Sequence, residues 1–137
     1  MTVQESLVET YKDRPEQLAE MAYDGMTLHR ISSKCGIFAE SDANSLVKGG
    51  VKVEEIIASL FEAVVYQNLA TLAKGNTPLP EVLLLGGPNL FFKGLQQAWS
   101  KHLRDLWRER NVALPDERAR QDLIHVPKDA LYYACIG

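Results

Sequence analysis

Two short stretches carry residue types that could do chemistry. In SSKCGIFAESD, residues 32–42, Cys35 stands in a segment of extended character and is followed by Glu40, Ser41 and Asp42. A thiolate presented at a strand end is a metal ligand or a redox group. The alternative is a buried thiol that only fills space. In LLLGGPNLFF, residues 83–92, Gly86 and Gly87 follow an apolar run and precede a helical pattern. Glycine there permits positive φ and lets a ligand approach the main chain, and a helix N-terminus offers free N–H groups. A nucleotide-contacting turn and an ordinary tight strand-to-helix turn both fit that spacing. It is not a P-loop, because no Gly-Lys-Ser/Thr follows, and G-x-G-x-x-G is absent.

The remaining polar residues have ordinary readings. Glu40 and Asp42 could be catalytic carboxylates, but their place at a helix start suits capping and dipole roles. Asn68 lies at the edge of an apolar stripe, where its amide is expected to bond to backbone. His29, His102 and His125 are scattered, and His29 and His125, with no carboxylate or second histidine at ligand spacing, read as structural. Cys35 and Cys135 lie far apart, match no zinc-site spacing, and lack an export signal that would favour a disulfide. Trp99 and Trp107 read as core and partly surface residues rather than base-stacking platforms.

The elements that must position these residues follow from periodicity. Residues 53–73 repeat apolar side chains every three or four positions, with Glu54 and Glu55 in the first turn and Lys74-Gly75 at the end. That predicts a long, mostly buried helix. A second helix is predicted after Asn89, with Phe92, Leu95, Trp99, Leu103 and Leu106 on one face and Lys101, Arg104, Asp105 and Arg108 largely on the solvated side. Shorter helices are expected at 15–23, at 43–47 behind Ser41 or Asp42, and from Asp129 onward. Residues 82–85 read as a strand buried on both faces, 122–127 as another, and HRISSKCGIFAES as a third. NTPLP, 76–80, and VALPDE, 112–117, are breaks.

This alternation predicts one α/β layered domain, which suits a chain of 137 residues. Apolar content of 46% and charged content of 24% are those of a globular protein, and a net charge of −3 gives no general attraction to nucleic acid or anionic membrane. No apolar run approaches the length of a membrane span, and the polar, acidic MTVQESLVETYKDRPEQ is not a secretory signal, so a cytoplasmic protein is expected. The last helix stops at Gly137 without a terminal signal, which points to a longer natural chain.

The segments KCGIFAESD, GGVKVEEIIASL, VLLLGGPNLFFKGL and HVPKDALYYACIG occur in an order that resembles the activators of 2-hydroxyacyl-CoA dehydratases and benzoyl-CoA reductases. These are the BadF/BadG/BcrA/BcrD-type ATPases, of the acetate kinase, sugar kinase, Hsp70 and actin superfamily, and the GGP form looks most like the CoA-substrate-specific enzyme activase branch. The resemblance covers roughly residues 18–137. It implies a ribonuclease-H-like, actin-like ATPase lobe, of which this chain is the half with the adenosine motif, its mixed sheet flanked by helices. It implies that Gly86 and Gly87, and more loosely Pro88 and Asn89, lie against the adenosine of ATP or ADP bound with Mg²⁺. It further implies that Cys35 ligates a [4Fe–4S] cluster bridging a homodimer. ATP hydrolysis would drive an electron from that cluster to an acyl-CoA dehydratase or reductase.

The departures from that family bear on activity. Both Asp-x-Gly phosphate motifs and the second cluster cysteine are absent, and Cys135 reads as a buried packing thiol rather than a substitute. Phosphoryl transfer depends on such positioning groups, so this chain is expected to be inactive alone and to carry no cluster. A sugar-kinase-like lobe and a non-catalytic interaction module are the alternatives.

Overall fold

The computed structural model describes residues 15–114 and 123–136. Its order is α1 (Pro15–Ala19), α2 (Gly36–Lys48), α3 (Val53–Asn68) continued by a π-helical turn (Leu69–Ala73), β1 (Val82–Leu83), α4 (Gly87–Phe91), α5 (Lys93–Glu109), β2 (Ile124–His125) and α6 (Tyr133–Ile136). Helices dominate, and the strands form a small parallel sheet with Val82 opposite Ile124 and Leu83 opposite His125. This arrangement is compatible with the α/β class.

The α3–α5 pair is the centre of the fold. Ile57, Ala58, Phe61 and Val65 of α3 meet Leu95, Ala98, Trp99, Leu103 and Trp107 of α5, with Tyr23, Leu84 and Leu123 closing the cluster. Gly94 lets the chain at Met21 cross α5, because a Cβ there would stand 2.5 Å from the Met21 carbonyl oxygen. The other side of α3 packs Ile56 and Ala63 against Ala43 of α2 and Ile31. Trp107 is fully buried, and its indole N–H donates to the Pro78 carbonyl at 2.8 Å, which ties the 76–80 break to α5. Buried Ser59 accepts the His29 N–H and donates to the Glu55 carbonyl.

Several expected elements take a different form. The long helix has the expected span and terminator, with Lys74 at φ 48° and Gly75 at φ 83°, but it is not mostly buried. Val64, Tyr66 and Leu72 are exposed, because its apolar stripe is broader than the α2 and α5 surfaces that cover it. By length and composition Val53–Ala73, with mean hydropathy 1.4, could cross a membrane, although no continuous apolar run suggested it. Here it is the helix on which α2 and α5 pack.

The third strand is absent from the described residues. Residues 29–35 have no regular structure, and α2 starts at Gly36 rather than behind Asp42. Asp42 is therefore inside α2 and reaches back to accept the Ser32 N–H at 2.7 Å. α1 ends at Ala19, and Tyr23 enters the core from a stretch without regular structure.

Residues 82–85 are covered on one face only. Leu84 is buried, whereas Leu83 and Leu85 are exposed. The helix after Asn89 is two helices, broken at Phe92, whose extended backbone interrupts the helical run. Residues 128–132 form turns, so the last helix begins at Tyr133 and Asp129 does not cap it. The expected strand residue Asp122, the latter part of VALPDE and Gly137 lie outside the described residues, as does MTVQESLVETYKD.

Candidate functional site

β1 delivers the chain to Gly86, which adopts φ 92° and ψ 163°. That region suits only glycine, and no other atom lies within 4 Å of where a Cβ would sit. The Gly86 N–H donates to the Ala130 carbonyl at 3.0 Å, which fastens the turn to the segment after β2. Leu90 and Phe92 donate to the Gly86 and Pro88 carbonyls, opening α4. Pro88 suits this first turn, where a missing N–H costs nothing. The N–H groups of Gly87 and Asn89 have no partner among the described residues and are the donors a ligand would meet.

Asn89 is a clamp. Its Nδ2 donates to the Leu85 carbonyl at 2.8 Å, its Oδ1 accepts from the Trp99 indole at 3.1 Å, and its carbonyl accepts from Gln96. The side-chain amide is thereby committed to holding strand, turn and α5 together. Gly87 packs under Leu131, whose Cδ2 would lie 3.2 Å from an added Cβ. Phe91, Leu131 and Tyr132 are exposed nearby. An uncharged groove of about 540 Å³ flanks the turn, with Leu85 and Asn89 at that end; Gly86 and Gly87 do not line it.

Cys35 is exposed, with φ −161° and ψ 150°, immediately before α2. It does not fill a core space. Cys135 is also exposed, which corrects its reading as a buried packing thiol: the short α6 has no layer over it. Among the described residues no three His, Cys, Asp or Glu side chains gather as metal ligands. An iron–sulfur cluster of the [4Fe–4S] type takes four thiolates. Cys35 by itself does not make up that set.

Contacts between distant residues define a site that local spacing did not reveal. The buried Tyr23 hydroxyl donates to Glu62 Oε2 at 2.5 Å, and His102 Nε2 lies 2.6 Å from the same oxygen. A carboxylate only accepts, so Nε2 carries the proton. Tyr66 stacks obliquely on His102 with centroids 4.8 Å apart, and Lys101 Nζ sits over the Tyr23 ring. Burial first, then the bond and charge of Glu62, push the Tyr23 phenol well above its ordinary pKa, with smaller contributions from Tyr66 and Asp24. His29 has a carboxylate partner too, Glu55 at 2.8 Å. Asn68 bonds the Val64 carbonyl, as its place on the stripe suggested.

The comparisons with known proteins add no relative: no family model matches the chain, and neither does a curated protein or a solved structure.

Proposed function

We propose that this chain is the adenosine-binding half of a lobe in an ATP-dependent activator, of the actin-like superfamily, that drives low-potential electrons into an acyl-CoA dehydratase or reductase. The observation carrying the reading is the β1–Gly86–Gly87–α4 turn. A positive-φ glycine ends a parallel strand, free N–H groups follow, and the side of Gly86 is open. In open α/β sheets ligands gather at the carboxyl ends of strands. The main chain at Gly86 and Gly87 would form the wall against adenine and ribose, with Phe91 and Leu131 as apolar neighbours. Asn89 would hold the wall in place through Leu85 and Trp99.

The chemistry of hydrolysis would fall to groups this chain lacks, because no Asp-x-Gly turn is present to position Mg²⁺ or water. Cys35, exposed at the start of α2, would contribute one thiolate to a cluster in the complete assembly. Calorimetric titration with MgADP tests the reading. Binding in the millimolar range, worth about 4 kcal/mol, is expected for the chain and lost in Gly86→Val, with circular dichroism showing that the variant is folded. No heat of binding at millimolar ADP would refute it.

A further inference from the structure

Three donor atoms from three parts of the chain converge in the Tyr23 cluster. Tyr23 Oη comes from the stretch after α1, Glu62 Oε2 from α3 and His102 Nε2 from α5. Oη and Nε2 stand 2.5 and 2.6 Å from Oε2 and 3.5 Å from one another. A carboxylate offers two oxygens to hydrogen-bond donors, yet the phenol and the imidazole both point at Oε2. That convergence is the arrangement of a ligand set. Donors bonded to one ion at about 2.0–2.2 Å, with angles between a right angle and the tetrahedral one, stand about 2.9–3.5 Å apart. The triangle reaches that range if its two short edges open by about half an ångström.

The surroundings suit a cation. Tyr23 is 2% exposed, whereas the side chains of Glu62 and His102 keep 20% and 13% of their exposure, so the point is reached from solvent past those two. The Tyr66 ring lies against the imidazole and fixes its orientation from α3.

We propose that Tyr23, Glu62 and His102 are the protein ligands of a ferric ion, bound through a phenolate oxygen, a carboxylate oxygen and an imidazole nitrogen. Two hard, anionic oxygens and one nitrogen suit a small trivalent cation better than a soft metal. Binding releases one proton to solvent, that of the Tyr23 phenol, and the imidazole stays neutral with its proton on Nδ1 instead of Nε2. Without the ion, burial and Glu62 hold the phenol proton in place. Lys101 Nζ, 5.4 Å from the centre of the Tyr23 ring, favours the phenolate once the ion is bound. Water or a small ligand takes the remaining positions. This inference stands independently of nucleotide binding at Gly86 and of Cys35.

The test is titration of the full chain with ferric nitrilotriacetate, read against the chelate alone. A visible phenolate-to-iron charge-transfer band is expected, saturating at equimolar iron. The chain has five tyrosines, so the variants decide which one binds. Tyr23→Phe, which keeps its ring in the core, and His102→Gln should abolish the band, with circular dichroism reporting that they are folded. Tyr66→Phe, His29→Gln and Cys35→Ser should retain it. Glu62→Gln, nearly isosteric, serves if Tyr23→Phe unfolds, and should weaken iron binding about tenfold or more. No band at equimolar iron, or a band unchanged in Tyr23→Phe, would overturn the proposal. So would zinc held by these residues that ferric iron does not displace, since that assigns the site to a divalent ion.

Discussion

The Trp99 indole N–H and the Asn89 side-chain oxygen are joined at 3.1 Å, so the helix that builds the core also holds the turn at the end of β1. Trp99 is 9% exposed, and among the described residues no other hydrogen bond serves its N–H. Asn89→Ala removes that acceptor and the bond to Leu85. A destabilisation of about 1–3 kcal/mol is expected in urea denaturation. Asn89→Asp, which keeps an acceptor for Trp99, should lose less.

Gly94 makes a sharper packing prediction. An added Cβ would lie 2.5 Å from the Met21 carbonyl oxygen and 2.7 Å from the Phe61 ring, so backbone must move. Gly94→Ala is expected to cost about 1–3 kcal/mol despite alanine's better helix propensity. Gly49→Ala, at a residue with φ −75° and an ordinary 3.4 Å contact, should stay within about 0.5 kcal/mol of the parent.

Tyr23 predicts an alkaline weakness. Its phenol holds its proton more tightly in the folded chain than the ordinary value of 10.0, through burial and then Glu62. A raised folded pKa stabilises the fold fully below the unfolded value, and that stability is lost as pH rises from there toward the folded value. Denaturation midpoints should therefore fall more steeply above about pH 10 in the parent than in Tyr23→Phe. Parallel slopes would show that Tyr23 is not the group responsible.

The long helix and its Lys74-Gly75 stop were legible because both are local: a 3.6-residue period and a left-handed terminator. The Gly-Gly turn was legible for the same reason, as glycine after an apolar run announces the positive φ found at Gly86. What local pattern could not show was partnership across the chain. Glu62 drew no reading from its neighbours in sequence, yet it receives Tyr23 and lies against His102, residues 39 and 40 positions away. The apolar run at 82–85 suggested a strand covered twice, because composition reports hydrophobicity but not whether a second layer is present. The same limit misread HRISSKCGIFAES, 29–41, as a strand, where Cys35 has extended backbone but no neighbouring strand among the described residues.

Cys35 yields a prediction about metal loading. Anaerobic incubation of this chain with iron and sulfide should leave no stoichiometric cluster, because four thiolates must converge and, among the described residues, no three candidate ligands gather around either exposed cysteine. A stable charge-transfer band lost in Cys35→Ser, at about one cluster per pair of chains, would contradict this.

The most direct measurement is a two-dimensional NMR titration of the labelled chain with adenosine and then with MgADP. If the turn is a wall for adenosine, the amides of Gly86, Gly87 and Asn89 shift saturably with both ligands, while distant amides such as those of Ala43 and Ile57 stay in place. Saturating shifts confined to other residues, or none at the turn at millimolar ligand, would contradict the account.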